Sequence, residues 1–111
     1  MRRARRDTIV RTMSSLTAIA LSGLQAAQTR IGSAAHNIAN AATPEFRRQV
    51  VAQQTVPGGG VATQIQRAPR AGEALIEDMV ALKLNERLFA ANLSVLRTRD
   101  RLLGTLLDVQ A

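Results

Sequence analysis

Cysteine, tryptophan and tyrosine are all absent from the 111 residues. Without thiols there is no disulfide, no zinc–thiolate site and no cysteine nucleophile, and the redox compartment cannot be read. Phe46 and Phe89 are the only aromatics. The apolar fraction of 46% therefore rests on Ala, Leu, Val and Ile, a set suited to close helix–helix contact rather than to deep pockets. Long hydrophobic runs are missing too. The longest mostly apolar stretch is about a dozen residues and holds Thr, Ser and Gln, too short to span a bilayer.

Catalytic chemistry finds little foothold. His36 is the single histidine. It lies among Ala34, Ala35, Asn37 and Ile38, with no acidic partner placed to orient it and no second ligand at metal spacing. Gly58-Gly59-Gly60 lacks the Gly-Lys-Ser/Thr of a phosphate loop and opens no helix, so it reads as a flexible turn. Asn92-Leu93-Ser94 is a formal glycosylation sequon in the middle of a helical pattern, a chance match. The sequence thus points away from an enzyme, a cofactor, a metal and a small-molecule substrate.

The chain carries a formal +7, unevenly spread. Residues 1–12 hold five arginines against Asp7; residues 13–72 hold Arg30, Arg47, Arg48, Arg67 and Arg70 against Glu45. Residues 73–111 hold five basic and six acidic groups. No basic stripe is interleaved with aromatics beyond Phe46, so a nucleic-acid face is not expected.

A chain this short forms one small domain with a thin core. Four segments are expected. Residues 1–12 form a basic leader without apolar period, either disordered or a start-site extension ahead of Met13. An export signal, with Arg-rich n-region and apolar Leu16 to Leu24, is the competing reading. Residues 13–41 form an N-terminal helix, capped by Ser14 or Ser15. In it Leu24, Ile31 and Ile38 recur at seven, with Ala20, Ala27 and Ala34 between them. Thr43-Pro44 stops this helix. Residues 42–72 form an irregular linker or a β-hairpin, with strands at Phe46–Val56 and Val61–Gln66 around Pro57 to Gly60. Residues 73–111 form a C-terminal helix. There Leu75, Leu82, Phe89, Leu96 and Leu103 recur at seven, and Met79, Leu93 and Leu107 fill companion positions four residues later. Glu86 and Asp100 take the other two. Glu73, Glu77 and Asp78 near the start and Arg97, Arg99 and Arg101 nearer the end suit the helix dipole.

The expected fold is mainly α: N- and C-terminal helices pairing as an antiparallel coiled-coil hairpin, with a short connection. Leu84, Leu88, Leu102 and Leu106 lie off the seam and widen the apolar face beyond what one partner covers. Such a face calls for self-assembly or docking with coupled folding.

Two stretches carry a resemblance. The first is Ser22-Gly23-Leu24 with Ala26, leading into Asn37-Ile38-Ala39-Asn40-Ala41-Ala42-Thr43-Pro44-Glu45-Phe46-Arg47-Arg48. The second runs through Glu77-Asp78-Met79-Val80-Ala81-Leu82, Arg87-Leu88-Phe89-Ala90-Ala91-Asn92, Val95-Leu96, Thr98 and Leu102-Leu103. Together, over residues 13–48 and 73–109 and in the right order, they resemble the opening and closing motifs of the bacterial flagellar rod and hook proteins. The short proximal-rod members are the most similar. The resemblance implies a structural subunit of the basal-body rod that assembles through its terminal helices. Implied partners are its own copies, other flagellar axial proteins and the flagellar type III export apparatus, with export to the periplasmic rod without a cleaved signal. Leu24, Ile31, Ile38, Leu75, Met79, Leu82, Phe89, Leu93, Leu96 and Leu103 are the expected assembly seam. Asn37, Ile38, Ala39, Asn40, Thr43, Pro44 and Phe46 are the motif residues. The departures are a shorter middle, Leu88-Phe89 where Ala-Tyr is usual, and Glu45 where the family has Gly. A glycine there would permit a type II turn, whereas Glu45 is expected in a type I turn or an extended path. Such departures leave open a divergent paralogue acting as a stand-alone helical self-associating module.

Overall fold

The computed structural model describes residues 2–110. Its elements are α1 (Arg2–Ala39), β1 (Gln49–Thr55), β2 (Val61–Arg67) and α2 (Leu75–Gln110). The two helices pack against each other and a two-stranded antiparallel hairpin lies between them in sequence. The molecule is a thin slab measuring 65 × 25 × 13 Å. Its radius of gyration is 19.0 Å, against roughly 13 Å for a compact globule of this length.

The first correction concerns the leader. Of its two expected states disorder is overturned: it is helical from Arg2 and continuous with α1, which has no bearing on a start-site extension. Arginine and alanine are good helix formers. The hydroxyls of Thr8 and Thr12 donate back to the carbonyls of Ala4 and Thr8, so neither threonine competes for an exit from the helix. Ile9 and Val10 also line one shallow hollow with Leu103, Leu106 and Leu107 of α2. Ser14 and Ser15 accordingly sit inside the helix rather than at its cap. Met1 and Ala111, at the outer limits of the first and last expected segments, lie outside the described residues.

The other boundaries move by up to three residues. α1 ends at Ala39, and Asn40 to Glu45 turn the chain. Phe46 N–H donates to Thr43 O at 3.4 Å, and Glu45 takes φ 58°. With Pro44 at the second position this is the type II arrangement, so the expectation for Glu45 is overturned. The glutamate holds the left-handed conformation that glycine would hold without strain. α2 begins at Leu75, where Glu73 Oε2 accepts the Leu75 N–H at 2.7 Å, satisfying a donor that the helix leaves free. Glu77 and Asp78 occupy its first turn, but no basic residue lies in its last turn. The helix runs several residues past Arg101, so dipole complementarity holds at one end only.

The hairpin is formed, with Gln49 opposite Arg67 and Thr55 opposite Val61. An isolated two-stranded ribbon is marginal in water; this one packs along α1. Its turn rests on the helix through Gly59 and Gly60. A Cβ on Gly59 would meet Ile19 Cδ1 at 2.9 Å, and one on Gly60 would meet Ser22 Oγ at 2.8 Å. Ser22 Oγ donates to Ile19 O (2.8 Å) and accepts the Val61 N–H (3.1 Å), fastening the start of β2 to the helix. The core is slight. Its buried apolar residues are Ala20, Ala26, Ala27 and Ala34.

Candidate assembly interface and its polar node

Small side chains set the approach of the helices. Ala20, Ala27 and Ala34 recur at seven on α1 and are buried to within a few per cent. Between the first two, Gly23 faces Asn92, whose Oδ1 would lie 2.7 Å from a Cβ placed there. Leu24, Ile31 and Ile38 flank this strip and are half-buried. The alanines thus make the contact and the larger residues border it, because alanine lets two backbones come closer than leucine would.

On α2 the expected seam is partly redrawn. Leu82, Phe89, Leu93, Leu96 and Leu103 are half-buried against α1, but Leu75 (39% exposed) and Met79 (53% exposed) face outward. So do Glu86, Asp100 and Leu107. Of the companions expected four residues on, only Leu93 is half-buried; four others stand three residues after Leu75, Leu82, Phe89 and Leu96. They are Asp78, Asn85, Asn92 and Arg99, all buried or half-buried. An apolar row alternates with a polar one along the seam. The physical reason for the correction is helix phase: spacings of three and four both return to one face, and the shorter one here points at α1.

The polar row closes on a node at the hairpin end of the helix pair. Asp78 is 4% exposed. Its Oδ2 accepts Arg48 Nε at 3.0 Å, and its Oδ1 accepts Arg48 Nη2 and Asn37 Nδ2, the latter at 3.4 Å. Asn37 is buried too. Its Nδ2 donates to Gln49 O (2.9 Å) and its Oδ1 accepts Gln49 N–H (2.8 Å). One amide side chain thereby pairs with the first residue of β1 as a neighbouring strand would. The paired carboxylate raises the Arg48 pKa above its ordinary value, against the opposing pull of burial. The node ties α1, the hairpin and α2 together at one point.

Around it, the motif residues have separate structural tasks. Asn40 Nδ2 donates to His36 O (2.9 Å), and Thr43 Oγ1 donates to Asn40 Oδ1 (3.2 Å), which ties up the helix end. Phe46 is half-buried and its ring tilts against His36 at 5.4 Å. Ile38 is half-buried, whereas Ala39 and Pro44 are exposed. Arg47 Nε donates to Ala68 O at 2.6 Å, and Gly72 N–H to Phe46 O at 3.2 Å, so the strand ends are held as well.

Beyond the hairpin turn the helix pair is bare. An apolar groove of about 280 Å³ opens between Met13, Leu16 and Thr17 of α1 and Val95, Leu96 and Leu102 of α2. Leu88, Val95, Leu102 and Val109 line one flank of α2 at a spacing of seven and are exposed, as are Ile76, Val80, Leu84 and Leu106. Among the described residues no cluster of His, Asp and Glu suited to a metal ion is present, and no helix is long and apolar enough to cross a membrane.

The sequence reading gives Asp78, Asn85, Asn92 and Arg48 no place in the helix seam. For the three on α2 the signal is a second seven-residue repeat, 78-85-92-99, polar where a seam is ordinarily apolar; Arg48 carries no such signal. No protein-family model and no curated protein matches the chain.

Proposed function

We propose that this chain is a structural subunit of the bacterial flagellar basal-body rod that assembles through coiled-coil packing of its terminal helices. Surface area carries the assembly half of the reading. A folded monomer of 11.9 kDa should expose roughly 5,900 Å². This chain exposes 8,429 Å². The excess is about 2,500 Å², more than a standard interface buries in total. Much of it is aliphatic and lies on the outer flanks of α2. Neighbouring subunits packed around the middle of the helix pair, at Ile76, Val80, Leu84, Leu88 and Val95, would cover much of it.

The rod half of the reading rests on the two sequence motifs. Asn37, from the opening motif, meets Asp78, from the closing one, through a direct hydrogen bond. Motifs that are 41 residues apart in sequence form one node. On this reading, their pairing sets the register of α1 against α2, as a polar seam position does in coiled coils. Export proceeds through the flagellar type III apparatus, and the partners are copies of the chain and other axial proteins. The stand-alone self-associating module is the second reading, and the same uncovered flank supports it equally.

The test must strike the outer flank, since charges at Leu82 or Leu96 would break the intrachain seam first. Leu88→Asp with Val95→Asp changes two exposed residues. The variant should keep the helical content of the parent and fail to enter rods. Normal incorporation of the folded variant would refute assembly through this face.

A further inference from the structure

We propose that the end of the helix pair where α1 begins and α2 finishes docks on an anionic membrane surface. A strong net positive charge and exposed aliphatic surface coincide there. Residues 2–12 carry Arg2, Arg3, Arg5, Arg6 and Arg11 against Asp7. Residues 97–110, alongside them, carry Arg97, Arg99 and Arg101 against Asp100 and Asp108. Their net of +5 is most of the chain's +7. At the opposite end Arg47, Arg48, Arg67 and Arg70 balance Glu45, Glu73, Glu77 and Asp78.

Aliphatic side chains lie between the arginines. Ile9, Val10, Leu102, Leu106, Leu107 and Val109 are all exposed, the last two by 68% and 80%. Arg6, Ile9, Val10, Leu103, Leu106 and Leu107 share one shallow hollow between the helices. The hairpin does not reach this region, because its turn ends over Ile19 and Ser22. Arginines beside exposed leucine, isoleucine and valine match the two sides of an anionic headgroup boundary. The guanidinium groups pair with phosphates and the aliphatic groups enter the acyl edge.

The competing occupants fit less well. A second copy docked by the same end would bring two strongly positive surfaces together. A copy docked by its opposite end would offer no net negative charge. Nucleic acid would satisfy the arginines, but it gives the aliphatic side chains nothing to contact, and neither phenylalanine lies in these segments to stack on bases. The inference is independent of the rod reading. It would hold for a stand-alone module as well.

Sedimentation of the purified full chain with vesicles tests it. The chain should bind vesicles of mixed phosphatidylglycerol and phosphatidylcholine, bind pure phosphatidylcholine weakly, and release as salt is raised. Changing Arg2, Arg3, Arg5, Arg6 and Arg11 to Gln should weaken binding by on the order of five-fold per arginine. Leu107→Ser with Val109→Ser should weaken it by at least about ten-fold. Both variants alter exposed positions, and their helical content should match the parent by circular dichroism. Equal binding to both vesicle types would overturn the proposal. So would full binding by either folded variant, or tighter binding to duplex DNA than to the anionic vesicles at the same salt.

Discussion

Replacing Asp78 with alanine strips the carboxylate from a site where Arg48 and Asn37 converge on it. Asp78 is almost wholly buried, while the Arg48 side chain keeps 23% of its surface exposed. Removing one member of a buried ion pair typically costs about 3–5 kcal/mol, because the other charge is stranded. Arg48 can turn part of its guanidinium toward water, which lowers the expected loss to roughly 2–3 kcal/mol. A chain of this length has roughly 5–15 kcal/mol in hand. With a urea slope of about 1–3 kcal/mol/M, the midpoint should fall by on the order of 1 M. Urea unfolding followed by circular dichroism reads this directly. Protein concentration must be held fixed, because association shifts apparent stability by mass action. Arg48→Met should cost at least as much, since it strands the more deeply buried partner. The double variant should cost less than the sum by about 1–3 kcal/mol. Strictly additive losses, or an unchanged midpoint in Asp78→Ala, would refute the claim that the node fastens three elements. The raised Arg48 pKa places its contribution with the protonated guanidinium. That contribution should persist through neutral pH and be lost as the guanidinium deprotonates in strongly alkaline solution.

Glu45→Gly should stabilise the fold by about 1 kcal/mol, because it removes a left-handed non-glycine residue, seen as a higher thermal midpoint. An unchanged or lower midpoint would contradict the turn geometry. Gly23→Leu should cost about 1–3 kcal/mol through overpacking against Asn92, and a variant as stable as the parent would show that the helices do not approach closely there. Asn85→Leu should raise stability by about 1 kcal/mol, since Asn85 Oδ1 is buried without a partner. It should also broaden the oligomer distribution in analytical ultracentrifugation, as loss of a polar seam position does in coiled coils. A destabilised variant with an unaltered distribution would count against a polar seam. Gly59→Val should lift the hairpin turn from Ile19, and protease cutting between residues 55 and 61 should rise while helix content holds.

The helices were legible because their apolar residues recur at seven over many turns, and the hairpin because Pro57 to Gly60 separates two strand-like runs. Phase was harder to read. Met79 and Leu93 made a spacing of four look natural, while Asp78 and Asn85 held the positions that meet α1. Polar residues in a seam run against the hydrophobic pattern that sequence reading relies on. They are tolerated here because Asp78 finds Arg48 and Asn37, partners 30 and 41 residues away. No local rule links such positions. The helical state of the leader is illegible for a related reason. Its arginines hide a modest apolar pair, Ile9 and Val10, which matters only once α2 folds back to meet it. Glu45 shows the opposite case. The turn follows Thr43-Pro44, and the tertiary frame imposes φ 58° on a residue that does not favour it.

Isolation of basal bodies from cells that produce the chain, after detergent has removed the membranes, tests the central claim most directly. The account predicts that the chain stays with the rods, in amounts comparable to other axial subunits, and that the Leu88→Asp, Val95→Asp variant is lost from them. Recovery of the parent chain wholly in the soluble or detergent-extracted fractions, from cells with intact rods, would contradict it.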